Sequence, residues 1–311
     1  RGLNVLTAHG AEPENLEEIR QKLFAARSER VRPGLDDKRL TSWNALMISA
    51  LAQAGAVLGE REYTDAARTC AAFVLGDLRD AQGNLLRSWK DGRGRIDGYL
   101  DDHAFLLDAL ITLYESTFER RWYDEAVALA DRLIERFADP ERGGFFTTAE
   151  GDQQLPVRRK DLEDSPIPSG NSAATLALLR LALLSGEGRY ERHALGVLRL
   201  LFPLASRHPS AFGHLLRAAD FYVAPVREVA IVGPETEADP LLRVVRGEFH
   251  PHVVVAGAST PVPQATDDEP FGGVPLLEGR ELVDGHAAAY VCERFVCQAP
   301  VTTPEELAAA L

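Results

Sequence analysis

The sequence predicts a mainly α protein, a solenoid or closed toroid of helical hairpins, with a small α/β module near the C-terminal end. Three observations predict it. Three segments align at a period of about sixty residues. The first helix of each copy is apolar nearly all round, while the second is charged on one face. After the third copy come β-branched runs bounded by Gly and Pro.

The copies are TSWNALMISALAQAGAVLGEREYTDAARTCAAFVLGDL, LDDHAFLLDALITLYESTFERRWYDEAVALADRLIERF and PSGNSAATLALLRLALLSGEGRYERHALGVLRLLFPL. In each, a polar break (GERE, FERR, GEGR) separates two helices and precedes an aromatic: Tyr63, Tyr123 and Tyr190. Trp43 lies 20 residues before Tyr63, His103 lies 20 before Tyr123, and Asn171 lies 19 before Tyr190, so SWN, DDH and GNS share a register. In IDGYLDDHAFLLDALITLY, Phe105, Leu106, Ala109, Leu110 and Leu113 fall on one helical face. Helices that are apolar all round are buried, which makes the first helices an inner ring and the amphipathic second helices an outer one.

The connections DAQGNLLRSWKDGRGRIDG and DPERGGFFTTAEGDQQLPVRRKDLEDSPI alternate and carry Gly and Pro punctuation. They predict short hairpin strands at one rim, beside the starts of the inner helices. SAFGHLLRAADFY resumes the repeat as a further inner helix. VREVAIVG and PHVVVAGA read as strands with a short helix, ETEADPLLRVVRG, between them; HAAAYVCERFVC reads as a third strand, and PVPQATDDEPFGGVP as a Pro/Gly-rich middle. TTPEELAAAL closes the chain as a capped helix, Thr303 before Pro304 being the start signal. The expected boundaries are 1–225 for the hairpins, 226–300 for the α/β module and 301–311 for a helix closing the toroid.

With 311 residues, one large domain or two ordinary ones can bury a sizeable core. A hydrophobic content of 45% against 26% charged residues is that of an ordinary globular chain. The net charge of −13 argues against nucleic acid and against an anionic membrane surface as partners. No apolar run reaches the roughly 18 residues of a membrane span. Three cysteines read as reduced thiols and predict a cytoplasmic protein. The chain opens RGLNVLTAHG with no initiator Met, which leaves its native start and any targeting segment open.

Carboxylates and aromatics at the rim of a helical ring suit sugar chemistry, because hydroxyls pair with carboxylates and amides while sugar ring faces stack on aromatics. Asp101 and Asp102 read either as helix caps or as the acid and base of a pocket, and His103 either as a satisfied structural histidine or as a proton carrier. Trp43, Asn44, Arg158, Lys160, Asp161, Ser169 and Asn171 are the candidate binding residues, joined by Trp89, Tyr99, Phe145, Phe146, Asp164 and Ser172. PSGNS reads equally as a turn followed by an N-cap. Cys292 and Cys297, a C-x4-C without a second pair, read as structural thiols, with redox work as a third hypothesis beside an enzyme and a scaffold. His250 and His252 read as surface residues. No metal and no cofactor is expected, since phosphate-cradling loops and nucleophile elbows are missing from the sequence.

The motifs DDKRLTSWNALMISALA, LDDHAFLLDALITLYE, GGFFTTAEG, RRKDLEDSPIPSGNSAA and AYVCERFVCQAPVTTPEEL, in this order, resemble the C-terminal portion of the spermatogenesis-associated protein 20 family, also known as thioredoxin-domain-containing proteins. The resemblance spans nearly the whole chain. It implies an (α/α)6 toroid similar to N-acylglucosamine 2-epimerase and the six-hairpin glycosidases. It also implies a carbohydrate-like small molecule as partner, and an upstream thioredoxin-like domain and further hairpins. The implied activity is that of a sugar isomerase or epimerase, a glycoside hydrolase-like enzyme, or a non-catalytic barrel binding sugar or protein clients. At the position of His103 the family pattern is more often aromatic, which argues against a proton shuttle there. Epimerases of this fold use histidine pairs, and the second histidine at a comparable helix start is His214.

Overall fold

A computed structural model describes residues 9–10, 12–151, 157–164, 166–258 and 273–311. Its two compact units are Arg1–Asp37 and Lys38–Leu311. The first carries one helix, α1 (Leu16–Ser28), with no buried residue.

The second unit opens with a two-residue strand, β1 (Arg39–Leu40), that runs directly into α2 (Thr41–Leu58). Then follow α3 (Arg61–Asp77), the hairpin β2 (Leu86–Lys90) and β3 (Arg93–Asp97), α4 (Leu100–Thr117), α5 (Arg120–Phe137), α6 (Gly170–Ser185), α7 (Gly188–Ala205) and α8 (Gly213–Val223). Helices α2, α4, α6 and α8 pack side by side in that order, and α3, α5 and α7 each pack back on the inner helix that precedes them. Among the described residues this is the expected partial (α/α)6 toroid: four inner helices and three outer ones. Burial follows the sequence logic. In α4 every residue from Leu100 to Tyr114 except Asp101 and Asp108 is buried, whereas α5 buries one stripe (Trp122, Tyr123, Ala126, Leu129, Ala130, Leu133, Phe137).

The three polar breaks share one backbone device. Gly59, Phe118 and Gly186 end α2, α4 and α6 in the left-handed region, with φ of 71°, 55° and 69°. Glycine accepts that conformation without cost, but an L side chain there costs about 1–2 kcal/mol. Phe118 holds it because its ring packs under the α/β module: a Cβ added to Gly257 would lie 2.6 Å from its Cδ2. The Arg246 guanidinium also covers the ring, 5.6 Å from its centroid.

The first connection forms its hairpin, with β1 pairing on β2 and β2 on β3, all antiparallel. The second, expected to carry strands as well, shows among its described residues a single bridge, Ala138 with Phe145. Its backbone also pairs at scattered points, such as Phe146 N with Phe137 O and Thr147 N with Arg159 O, and Asn171 at the start of α6 takes up Phe145 and Asp161.

The module consists of β4 (Arg227–Val232), α9 (Glu235–Gly247), β5 (Val253–Ala258), β6 (Ala288–Glu293), β7 (Val296–Cys297) and α10 (Pro304–Ala310). Sheet order is β5–β4–β6–β7, parallel between β4 and β5 and antiparallel elsewhere. Strand alternation gives it two cores. Val229 and Ile231 face α9 and α10, while the small Ala230, Ala256 and Ala288 join the core of the helical ring. Helix α10 packs on α9 and β6, and its apolar Leu307 belongs to the module's own core. Most of the Pro/Gly-rich middle lies outside the described residues. No described helix is long and apolar enough to cross a membrane.

Candidate functional site

The starts of α2, α4 and α6 meet in space, as their shared register predicts. Asp102, fully buried, accepts hydrogen bonds from Ser42 N (3.0 Å), Tyr99 N (2.9 Å) and Arg87 Nη1 (2.9 Å). One carboxylate thus caps its own helix, ties down the first turn of α2 and fixes a cation from β2. Burial first, and then the neighbouring Asp101, pushes its pKa up to about 6, while Arg87 and the two N–H groups pull against that. On the other side, Gly170 at the start of α6 abuts α4 so closely that a Cβ would stand 2.8 Å from Leu100 Cγ and 3.0 Å from Asp101 N.

Beside this junction lies a cleft of about 710 Å³, bounded by Arg87, by Tyr99–Asp101, by Thr147, by 159–163 and by 167–170. Asp101 is at its wall, 3.1 Å from Arg87 Nη1. The Arg87 guanidinium also covers the Tyr99 ring, 4.5 Å from its centroid. A carboxylate, a cation and an aromatic face are therefore presented together. Arg159, Lys160, Asp161, Glu163 and Ser169 also line it.

The expected site residues divide accordingly. Asp101, Lys160, Asp161 and Ser169 line the cleft; Asp102, His103, Trp43, Asn44, Arg158 and Asn171 do not. The Asp102 oxygens are taken up by backbone and Arg87. The His103 ring is buried against Phe137, centroids 4.8 Å apart, with Nδ1 held by Tyr99 O at 2.9 Å. Burial lowers its pKa to about 4, so it stays neutral. Trp43 is 64% exposed on α2. Asn44 donates to Leu40 O (2.7 Å) and accepts from the Cys70 thiol (3.4 Å). Arg158 donates to Thr148 O (2.8 Å) and Arg136 O (3.0 Å).

Asn171, which the tyrosine register matches with His103, does at the start of α6 what Asp102 does at the start of α4. Fully buried, it accepts from Phe145 N (2.8 Å) and donates to Phe145 O (3.0 Å) and Asp161 O (3.1 Å). It thereby pins two loops that wall the cleft. Ser169 caps α6, accepting from Ser172 N at 3.1 Å. Lys160 is braced by Asp139 Oδ2 (2.7 Å) and Gly143 O (2.5 Å), and that ammonium, donating its hydrogen bond, holds Asp139 down to about 2. Asp164 accepts from Ser169 N (2.8 Å) and His214 N (2.8 Å), linking α6 to α8. Burial lowers the His214 pKa.

Arg87, Thr147, Arg159 and Glu163 line the cleft without having been singled out from the sequence. For Arg87 a signal existed: two adjacent carboxylates at a buried helix start require a nearby cation. Two further expectations resolve outside the cleft. His252 pairs with Asp220 Oδ2 at 2.6 Å. Cys292 and Cys297, read as reduced thiols, are joined in a disulfide, because their pairing across β6 and β7 brings the Cα atoms within 3.9 Å.

No family model matches the chain. It is 32% identical over 303 residues to human spermatogenesis-associated protein 20 and 32% identical over 303 residues to that of Rattus norvegicus, in both cases over 92% of this chain. It spans 38% and 37% of the length of those relatives. Among solved structures, cellobiose 2-epimerase from Spirochaeta thermophila aligns at 19% identity and a TM-score of 0.44, over 53% of this chain and 43% of that one. A D-mannose isomerase aligns at 12% and 0.47, over 61% and 55%. Likenesses this distant carry no statement about chemistry. The sequence relationship does carry one about descent: this chain belongs to the spermatogenesis-associated protein 20 family.

Proposed function

We propose that the cleft binds a carbohydrate-like small molecule, within the C-terminal toroid of a thioredoxin-domain-containing protein. The observation that carries this reading is the grouping of Asp101, Arg87 and the Tyr99 ring in a cleft that Lys160, Asp161 and Ser169 also line. Such a cleft offers a carboxylate and donors to hydroxyl groups and an aromatic face to a sugar ring.

Of the activities the family resemblance implies, carboxylate chemistry of the hydrolase kind fits this cleft better than histidine-based epimerisation. The described lining holds Asp101, Asp161 and Glu163 but no histidine, His103 being sealed beneath it. Two carboxylates flanking a glycosidic bond act as acid and base. The second reading, a binding barrel without catalysis, draws support from the engagement of Asp101 with Arg87 and of Lys160 with Asp139.

A panel of mono- and disaccharides in a thermal-shift assay tests the proposal. At least one sugar is expected to raise the melting temperature of the chain, and Asp101→Asn is expected to abolish that shift while leaving the unliganded melting temperature within a few degrees. No shift with any sugar, or an undiminished shift in the variant, overturns it. Hydrolysis of a chromogenic glycoside by the wild type and not by Asp101→Asn distinguishes enzyme from binding barrel.

A further inference from the structure

On the ring-facing side of the module's sheet, cross-strand pairing aligns Glu228 of β4, Cys292 of β6 and Cys297 of β7 in one row. Arg280 lies over the row, with Nη2 2.8 Å from Cys297 Sγ and 3.7 Å from Cys292 Sγ. Its guanidinium rests on the Tyr290 ring, 5.1 Å from the centroid, and the Tyr290 hydroxyl donates to Glu281 O at 2.9 Å, which fixes the platform. Glu228 is fully buried; its Oε2 accepts from Phe295 N at 2.7 Å at the tip of the β6–β7 turn, whereas its Oε1 has no hydrogen-bond partner among the described residues. Arg280 Nε is likewise buried and unpartnered among the described residues.

This is a costly arrangement for a purely structural crosslink. Glu228 attracts the guanidinium, but neither sulfur of a disulfide carries charge, so the oxidised pair itself gives it little in return. A thiolate does. On reduction, an anionic Cys297 sulfur stands within hydrogen-bond distance of Arg280, the setting that lowers a thiol pKa and improves it as nucleophile and as leaving group. Exposure supports the same division of roles: Cys297 is half-exposed, Cys292 buried. Burial raises the Glu228 pKa, and the Phe295 N–H and the Arg280 charge pull against that.

We propose that Cys292 and Cys297 form a thiol–disulfide exchange centre, with Arg280 stabilising the Cys297 thiolate, that takes two electrons from an external dithiol. One thiolate of the dithiol attacks Cys297 Sγ. The Cys292–Cys297 bond breaks, and its electron pair leaves on Cys292, which takes a proton. The second thiol of the dithiol then attacks its own sulfur in the mixed disulfide, releasing Cys297 as a thiolate beside Arg280. The dithiol is oxidised to its cyclic disulfide, and the pair is reduced to the Cys292 thiol and the Cys297 thiolate, the proton lost by the second thiol of the dithiol balancing the one taken up by Cys292. The Phe295 tip, which packs on Gly186 at the end of α6, is freed from its crosslink at the same time.

The experiment uses the whole chain and dithiothreitol, with thiols counted by alkylation and mass spectrometry. Dithiothreitol is expected to convert the native chain from one alkylatable cysteine, Cys70, to three without loss of far-ultraviolet circular dichroism. In the reduced chain at pH 7, Cys297 is expected to alkylate about ten-fold faster than Cys292 or Cys70, the effect of a thiol pKa lowered by about one unit or more. Arg280→Gln is expected to remove that advantage and Arg280→Lys to keep part of it. Three alkylatable cysteines in the air-oxidised native chain overturn the proposal, as does a pair reducible only after unfolding. Equal alkylation rates at Cys297 and Cys292 in the reduced wild type overturn it too, and that comparison stands even if Arg280→Gln does not fold.

Discussion

Replacing Asp102 with alanine removes one buried carboxylate and three hydrogen bonds that join α2, α4 and β2. Two backbone N–H groups, those of Ser42 and Tyr99, lose their acceptor in a place water does not reach, at about 1–3 kcal/mol each. Breaking a buried ion pair by deleting one partner costs about 3–5 kcal/mol, but Arg87 retains Asp101 at 3.1 Å and is 28% exposed, so the low end applies to it. These contributions overlap, and the expected loss is about 3–5 kcal/mol, a large share of the roughly 5–15 kcal/mol that holds a domain folded. Urea denaturation followed by circular dichroism measures it as a lowered midpoint at unchanged slope. A loss below about 1 kcal/mol would refute the reasoning. So would a variant that keeps its stability but loses sugar binding, because that pattern belongs to a group facing the cleft.

Three further outcomes are expected. The Asp102 pKa is raised in the folded chain, so its protonation favours folding at low pH and that contribution fades as pH rises through about 6; the stability of the wild type relative to Asp102→Asn should rise as pH falls from about 6 to about 4, and identical pH slopes in urea titrations would count against it. Asn171→Ala deletes bonds to Phe145 N, Phe145 O and Asp161 O and should cost about 2–3 kcal/mol, read as a lowered thermal midpoint. Gly257→Ala forces a methyl to within 2.6 Å of the Phe118 ring and should cost about 1–3 kcal/mol; Phe118→Ala in the same chain should absorb most of that added cost, so additive effects in a double-mutant cycle would show that the two do not touch.

The ring was legible because its signal is periodic. The inner helices are apolar on nearly every face and recur in register with Tyr63, Tyr123 and Tyr190, and side-by-side packing behind an outer layer buries them. The strands of the module were legible from β-branched runs for the same reason. The site was less so, and Asp102 and Asn171 show why. Both stand at equivalent helix starts, and sequence spacing places them correctly, but whether a polar side chain there points into the seam or into the cleft depends on which backbone donors arrive from other elements. Ser42 N is 60 residues from Asp102 and Phe145 is 26 from Asn171, and neither partner leaves a mark in the local pattern. Asp101 and Asp102 differ in role by one residue, about 100° around the helix, and only the packed neighbours decide between them. The disulfide escaped for a related reason, since C-x4-C becomes a cross-strand pair only once a tight turn is known to lie between.

The aromatic that ends α4 ties two parts of the molecule to each other's presence. The corresponding turns after α2 and α6 carry glycine, so the repeat alone has no use for a bulky side chain in that backbone conformation. What makes it tolerable is the sheet docked above it, through the bare backbone of Gly257. Position 118 thus acts as a receptor for the module rather than as part of the ring's own grammar. Any relative that has lost the module should revert to glycine at this turn; one that keeps the module but has a larger residue opposite should carry something smaller here.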